Sequence, residues 1–173
     1  MLSLDTALLL LRLVIGLLFI GHGTQKLFGW FGGHGLEGTT AFFEKLEVYP
    51  PRMWAWIAAL GETLGGLGLV VGLLTPVAGA AIIGVMLMAI AKVHWQHGLW
   101  VSNNGMEYTL MNLVVAGVLG LTGPGAYSLD ALLNLNYPMP LTFVAAVVAA
   151  IVGVLVALVS NNFVEEPEAE TQS

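Results

Sequence analysis

Among the ionisable side chains inside apolar runs or at their edges, His22, Lys26, Glu62, Lys92 and Glu107 gather toward one end of the spans. Ionisable groups in hydrocarbon are costly, so they usually face a bundle interior and have partners. At 1.5 Å per helical residue, Glu62 lies about 12 Å inside the end of its run marked by Trp54, and His22 lies about 12 Å inside the matching end near Trp30. Lys26 is one turn shallower, Lys92 reaches a similar level, and Glu107 opens the next run there. These depths predict one polar cluster below one membrane surface. A carboxylate beside an imidazole in a low-dielectric pocket suits proton delivery, which assigns Glu62 and His22 as a relay. The five residues together then form a quinone-headgroup site, with His22 or Lys26 donating to a quinone carbonyl. The alternative is a buried ion-pair network that holds helices in register. Arg12 stands apart, near the other surface and within reach of Asp130, and this couple reads as a structural ion pair.

The elements that must position these residues follow from composition. The chain has 173 residues, of which 57% are apolar and 9% charged, and its mean hydropathy is +0.86. Soluble domains carry roughly a quarter charged residues, so this chain has too little charge to coat a water-facing surface. A bilayer core of about 30 Å needs about 20 apolar residues per helix. Five segments qualify, at about 4–30, 54–74, 76–96, 106–121 and 141–160, the fourth being short. Thr75-Pro76 joins the second to the third, which makes them antiparallel neighbours. Between the first and second, Gly32, Gly33, Gly35 and Gly38 form a flexible entry, and 39–48 reads as an amphipathic helix on the membrane surface. Residues 163–173 read as a disordered acidic tail.

Along the first helix, Arg12, His22 and Lys26 share an arc of about 80° with Gly16, Phe19 and Gly23. Gly61 to Gly65 and Gly68 to Gly72 have the small-xxx-small spacing that lets helix backbones approach. Trp30, Trp54, Trp56, Trp95 and Trp100 collect at one end of the first three spans and mark a membrane interface. Lys26, Lys45, Arg52 and Lys92 lie toward that end. The positive-inside rule therefore places the tryptophan side and the C-terminus in the cytoplasm.

Composition also excludes function classes. Five basic residues and a net charge of −6 give no phosphate-tracking patch, so nucleic acid is not an expected partner. No Cys is present, which removes thiolate nucleophiles and thiolate-held clusters. His94 and His97, with His34 and Glu107, do not assemble a recognisable metal-ligand motif. His22 is the only deep histidine, and no bis-histidine haem pair is apparent. No nucleotide-binding fingerprint is present. No nucleotide, haem or metal is therefore predicted; quinone is the cofactor that the relay reading of the polar cluster calls for.

The stretch Leu10-Leu11-Arg12-Leu13, then Gly16, then Gly21-His22-Gly23-Thr24-Gln25-Lys26-Leu27-Phe28-Gly29, resembles the opening of the DoxX family. So do Glu62-Thr63-Leu64-Gly65-Gly66, Gly72-Leu73-Leu74-Thr75-Pro76, Glu107-Tyr108 and Gly123-Pro124-Gly125-Ala126-Tyr127-Ser128-Leu129-Asp130. The resemblance implies a small bacterial or archaeal inner-membrane protein built on a four-helix bundle. Relatives in name include the subunits of an archaeal thiosulfate:quinone oxidoreductase, and others associate with redox proteins.

The expected fold is therefore an all-α integral membrane protein. It comprises a DoxX-like four-helix domain at 1–133, an extra C-terminal transmembrane helix within 134–162 and the tail. Two functions follow. One is a membrane subunit of a quinone-linked redox system whose electrons come from a redox-protein partner or from a bound quinol. The other is a non-catalytic accessory or assembly subunit packed on a larger membrane complex, with the fifth helix as its docking surface.

Overall fold

The computed structural model describes residues 3–160, so the acidic tail lies outside the described residues. The chain is an all-α integral membrane protein. Its helices are α1 (Leu4–Phe28), α2 (Gly35–Lys45), α3 (Pro51–Val71), α4 (Thr75–Ala89), α5 (Glu107–Thr122), the single turn α6 (Leu129–Leu132) and α7 (Met139–Val159). No strand occurs among the described residues. Helix α4 continues through a π-helical turn at Ile90–His94 and a 3-10 turn to His97, making one helical run of 23 residues. That run, α1, α3 and α7 are long and apolar enough to cross a bilayer. Helix α5 has 16 residues, or about 24 Å at the helical rise, short of the bilayer core.

Local chemistry sets the helix ends. Ser3 caps α1 by accepting from Thr6 N–H. Gly29, in the left-handed region at φ 74°, ends α1 by donating its N–H to Gln25 O, two residues before the expected stop at Trp30. Pro51 starts α3 at the position where a missing N–H costs nothing. The surface helix begins earlier than its amphipathic pattern predicts, at Gly35 rather than Thr39, and stops at Lys45 rather than Val48. Thr39 and Thr40 sit in its first turns with hydroxyls donating to the carbonyls of Gly35 and Leu36. Glu47, at φ 55°, turns the chain back.

Helices α1 and α3 form the tightest pair, α4 packs between α3 and α5, and α7 lies along α4. The main core joins Ile15 and Phe19 of α1, Leu69 of α3, Ile82, Ile83 and Met86 of α4, Leu119 of α5 and Phe143 of α7. A smaller cluster joins Phe43 of α2, Val48, Ala55 and Ala58 of α3, and Ala157 of α7. The surface helix is thus built into the bundle through Phe43.

Candidate functional site

The α1–α3 contact places Lys26 beside Glu62. Their side chains form an ion pair with Nζ to Oε2 at 2.5 Å. The Glu62 side chain is 4% exposed, whereas that of Lys26 is 28% exposed. The carboxylate is therefore shut inside the bundle, and the ammonium connects it to the tryptophan end. Beside this pair lies a cavity of about 560 Å³, within the range of small-molecule sites. Glu62, Gly61 and Ala58 of α3 form one wall, and Ala81, Gly84, Val85 and Met88 of α4 form the floor. Helix α7 contributes Ala149, Ala150, Gly153, Val154 and Ala157. Phe42, Phe43 and Leu46, from α2 and its end, line the part nearest the tryptophans. Lys26, Glu62 and His94 are the ionisable groups on an otherwise apolar lining.

The other three residues of the expected cluster have separate tasks. Lys92 donates from Nζ to Leu46 O at 2.9 Å. It satisfies a free carbonyl at the end of α2 and complements that helix terminus. Glu107 accepts at Oε2 from Val101 N–H at 3.0 Å and organises the loop between α4 and α5. His22 hydrogen-bonds through Nδ1 to Gln25 Oε1 at 3.1 Å and lies edge-on to Tyr108, with ring centroids 6.5 Å apart. It does not line the cavity. Gln25 Nε2 donates to Phe31 O, which leaves its amide oxygen to accept from His22. The neutral imidazole then carries its proton on Nδ1 and its lone pair on Nε2. Of the five, Lys26 and Glu62 line the cavity together, and His22, Lys92 and Glu107 do not line it.

The expected Arg12–Asp130 ion pair is not formed. The ion pairs among the described residues are Lys26–Glu62 and an exposed Arg52–Glu37. Arg12 is fully buried, and its Nη2 donates to Tyr127 O. Its Nε and Nη1 have no hydrogen-bond partner within the described chain. Asp130 is occupied elsewhere. It accepts from Leu74 N–H at 2.9 Å and Thr75 N–H at 3.4 Å, so it caps α4 from a distant loop. It also accepts from the Tyr137 hydroxyl at 2.5 Å. Burial, and then this bond, push the Tyr137 phenol above its ordinary range. Asp130 stays near enough to act on the charge of Arg12, but its hydrogen bonds go to the start of α4 and to Tyr137.

The histidines weighed for metal are dispersed. His94 Nδ1 meets Asn104 O, and His97 Nδ1 meets Val93 O. Among the described residues, no three His, Asp or Glu side chains are placed to share an ion. What sequence reasoning missed is the contribution of α7 and α2 to the cavity. The signal in α7 was the row Ala149/Ala150, Gly153 and Ala157, whose helical spacing puts small residues on one face. That face lines the cavity.

The DoxX family model matches residues 7–95. "Inner membrane protein YqjF" of Escherichia coli (strain K12) is 32% identical over 133 residues, covering 75% of this chain and 94% of its own. "Putative oxidoreductase CatD" of Bacillus subtilis (strain 168) is 30% identical over 128 residues, covering 74% of this chain and 87% of its own. No solved structure matches.

Proposed function

Since the chain belongs to the DoxX family, we propose that it is a membrane subunit of a quinone-linked redox system and that the cavity beside Glu62 receives the quinone headgroup. The observation that carries this reading is a buried carboxylate–ammonium pair on the wall of an otherwise apolar cavity, below the membrane interface. Such a cavity suits a lipid-soluble molecule with one polar end. A relative named as an oxidoreductase supports the redox part.

Bound quinone accepts two electrons and two protons. The electrons are assigned to a redox-protein partner, because the chain has no thiol and no nucleotide-binding motif of its own. Lys26 holds a fixed positive charge where a carbonyl oxygen gains negative charge, which is where a donor has most effect. Glu62, ionised in the resting pair, takes up a proton from the tryptophan end and releases it to the cavity, while Lys26 keeps its charge. Lys26 in turn reaches toward the tryptophan end, where protons are available. His22 neighbours this route without touching the cavity. Basic residues at the tryptophan end support a cytoplasmic assignment for that end and for the end of α7 under the positive-inside rule.

The test is native purification in lipid nanodiscs, with solvent extraction of quinones and mass spectrometry of co-purifying proteins. Stoichiometric quinone in the wild type, lost in Glu62→Gln, is the expected result. A stable larger complex that holds no quinone in this subunit overturns the reading in favour of an accessory role.

A further inference from the structure

The position of α7 bears on how a ligand enters and which tail it carries. Helix α7 packs along α4 and touches α5, whereas α3 and α7 scarcely meet. Both border the cavity; they draw together at the tryptophan end, where Ala157 clusters with Ala55 and Ala58, and the wall between them is open deeper in. The residues beside this opening are apolar. Ile57 of α3 is 48% exposed, and the neighbouring face of α7 carries Ala149 and Val154. At this depth within two membrane-spanning helices, the opening faces hydrocarbon rather than water.

The gap has a definite place. A methyl group built on Gly84 of α4 comes within 3.2 Å of Ala150 Cβ, so the two helices touch there. A methyl group built on Gly153, one turn further along α7, meets nothing within 4 Å. Gly153 is central to the α7 lining, between Ala149/Ala150 and Ala157. Space therefore opens at Gly153, while Glu62 and Lys26 lie on the opposite wall.

We infer that the hydrocarbon tail of the ligand leaves the site sideways, between α3 and α7 over Gly153, and that this face of α7 sets which tails fit. The inference rests on the quinone reading above and adds the path and its selector. The family match ends at residue 95. The matched region thus supplies the polar pair and the floor, and a helix beyond it supplies the wall that sorts tails. Entry is from the bilayer, where a membrane quinone is dissolved.

Gly153→Leu tests this with little risk to the fold, because the site has room for a side chain and Leu favours a helix over Gly. Equilibrium binding is measured in nanodiscs for decylubiquinone and for the same ring without its tail. Gly153→Leu is expected to weaken decylubiquinone at least about tenfold more than the tail-less ring, the scale of small steric changes in apolar pockets. Glu62→Gln is expected to weaken both. Equal loss of both probes in Gly153→Leu, or loss of neither, overturns the tail path while the quinone reading stands. Failure of the wild type to bind either probe overturns the quinone reading and the tail path with it. Ala149→Phe, on the same wall, repeats the comparison, and a matching thermal unfolding profile shows that each variant is folded.

Discussion

Gly16 and Gly66 meet backbone to backbone where α1 crosses α3. A methyl group on either would stand 2.6 Å from the other's carbonyl oxygen. No side chain at these positions can be accommodated without parting the helices. This contact holds α1 close enough for Lys26 to reach Glu62 one face away. Gly66→Val is therefore expected to destabilise the protein by about 1–3 kcal/mol through overpacking and to weaken ligand binding with it. Thermal unfolding in nanodiscs checks this. A variant as stable as the wild type would show that the helices are not locked at this point.

The Lys26–Glu62 pair is asymmetric, because one partner is nearly sealed from solvent and the other is not. Lys26→Met leaves the carboxylate uncompensated inside the bundle, a change that costs about 3–5 kcal/mol when a buried partner is removed. Glu62→Gln leaves an ammonium that can extend toward the interface, and its cost is expected to be about 1 kcal/mol. Comparison of the two melting temperatures decides the matter. Equal losses would mean that the pair is less one-sided than its burial.

Tyr137 gives the pH dependence. Its phenol is held above the ordinary range by burial and by Asp130, so the folded state binds that proton more tightly than the unfolded chain does. The resulting stability is full below the ordinary tyrosine value of about 10 and is lost as the pH rises above it. Tyr137→Phe is expected to cost about 1 kcal/mol at neutral pH and to flatten the alkaline limb. Melting curves of both proteins from neutral to alkaline pH provide the check.

Orientation is testable because the chain has no cysteine of its own. Glu44→Cys, at the tryptophan end, and Asn136→Cys, before α7, each give a single exposed thiol. A membrane-impermeant maleimide is expected to label Asn136→Cys in intact cells, and Glu44→Cys only after permeabilisation. The reverse pattern would invert the assignment.

Much of the fold was legible in the residues. Apolar runs of bilayer length located the spanning helices, and the two-residue joint at Thr75-Pro76 made α3 and α4 neighbours. The surface helix was partly hidden. Gly35 and Gly38 read as chain flexibility, yet both lie inside α2. The site was legible in depth but not in direction. Rise per residue placed Lys26, Glu62, Lys92 and Glu107 near one level, but it does not say which neighbour each faces. Lys92 turned to the end of α2, and Glu107 turned to its own loop. The α7 wall escaped because a helix of Ala, Val, Leu and Gly carries no polar mark of direction. Its row of small residues marks a face without saying what covers it.

The measurement closest to the central claim is photoaffinity labelling of the wild-type protein in nanodiscs with an azido-quinone, followed by peptide mapping. The expected labels fall on the α3 and α4 segments around Ala58–Glu62 and Val85–Met88, and competition by unlabelled quinone removes them. Labelling elsewhere, or labelling that Glu62→Gln leaves unchanged, would contradict a quinone site at this ion pair.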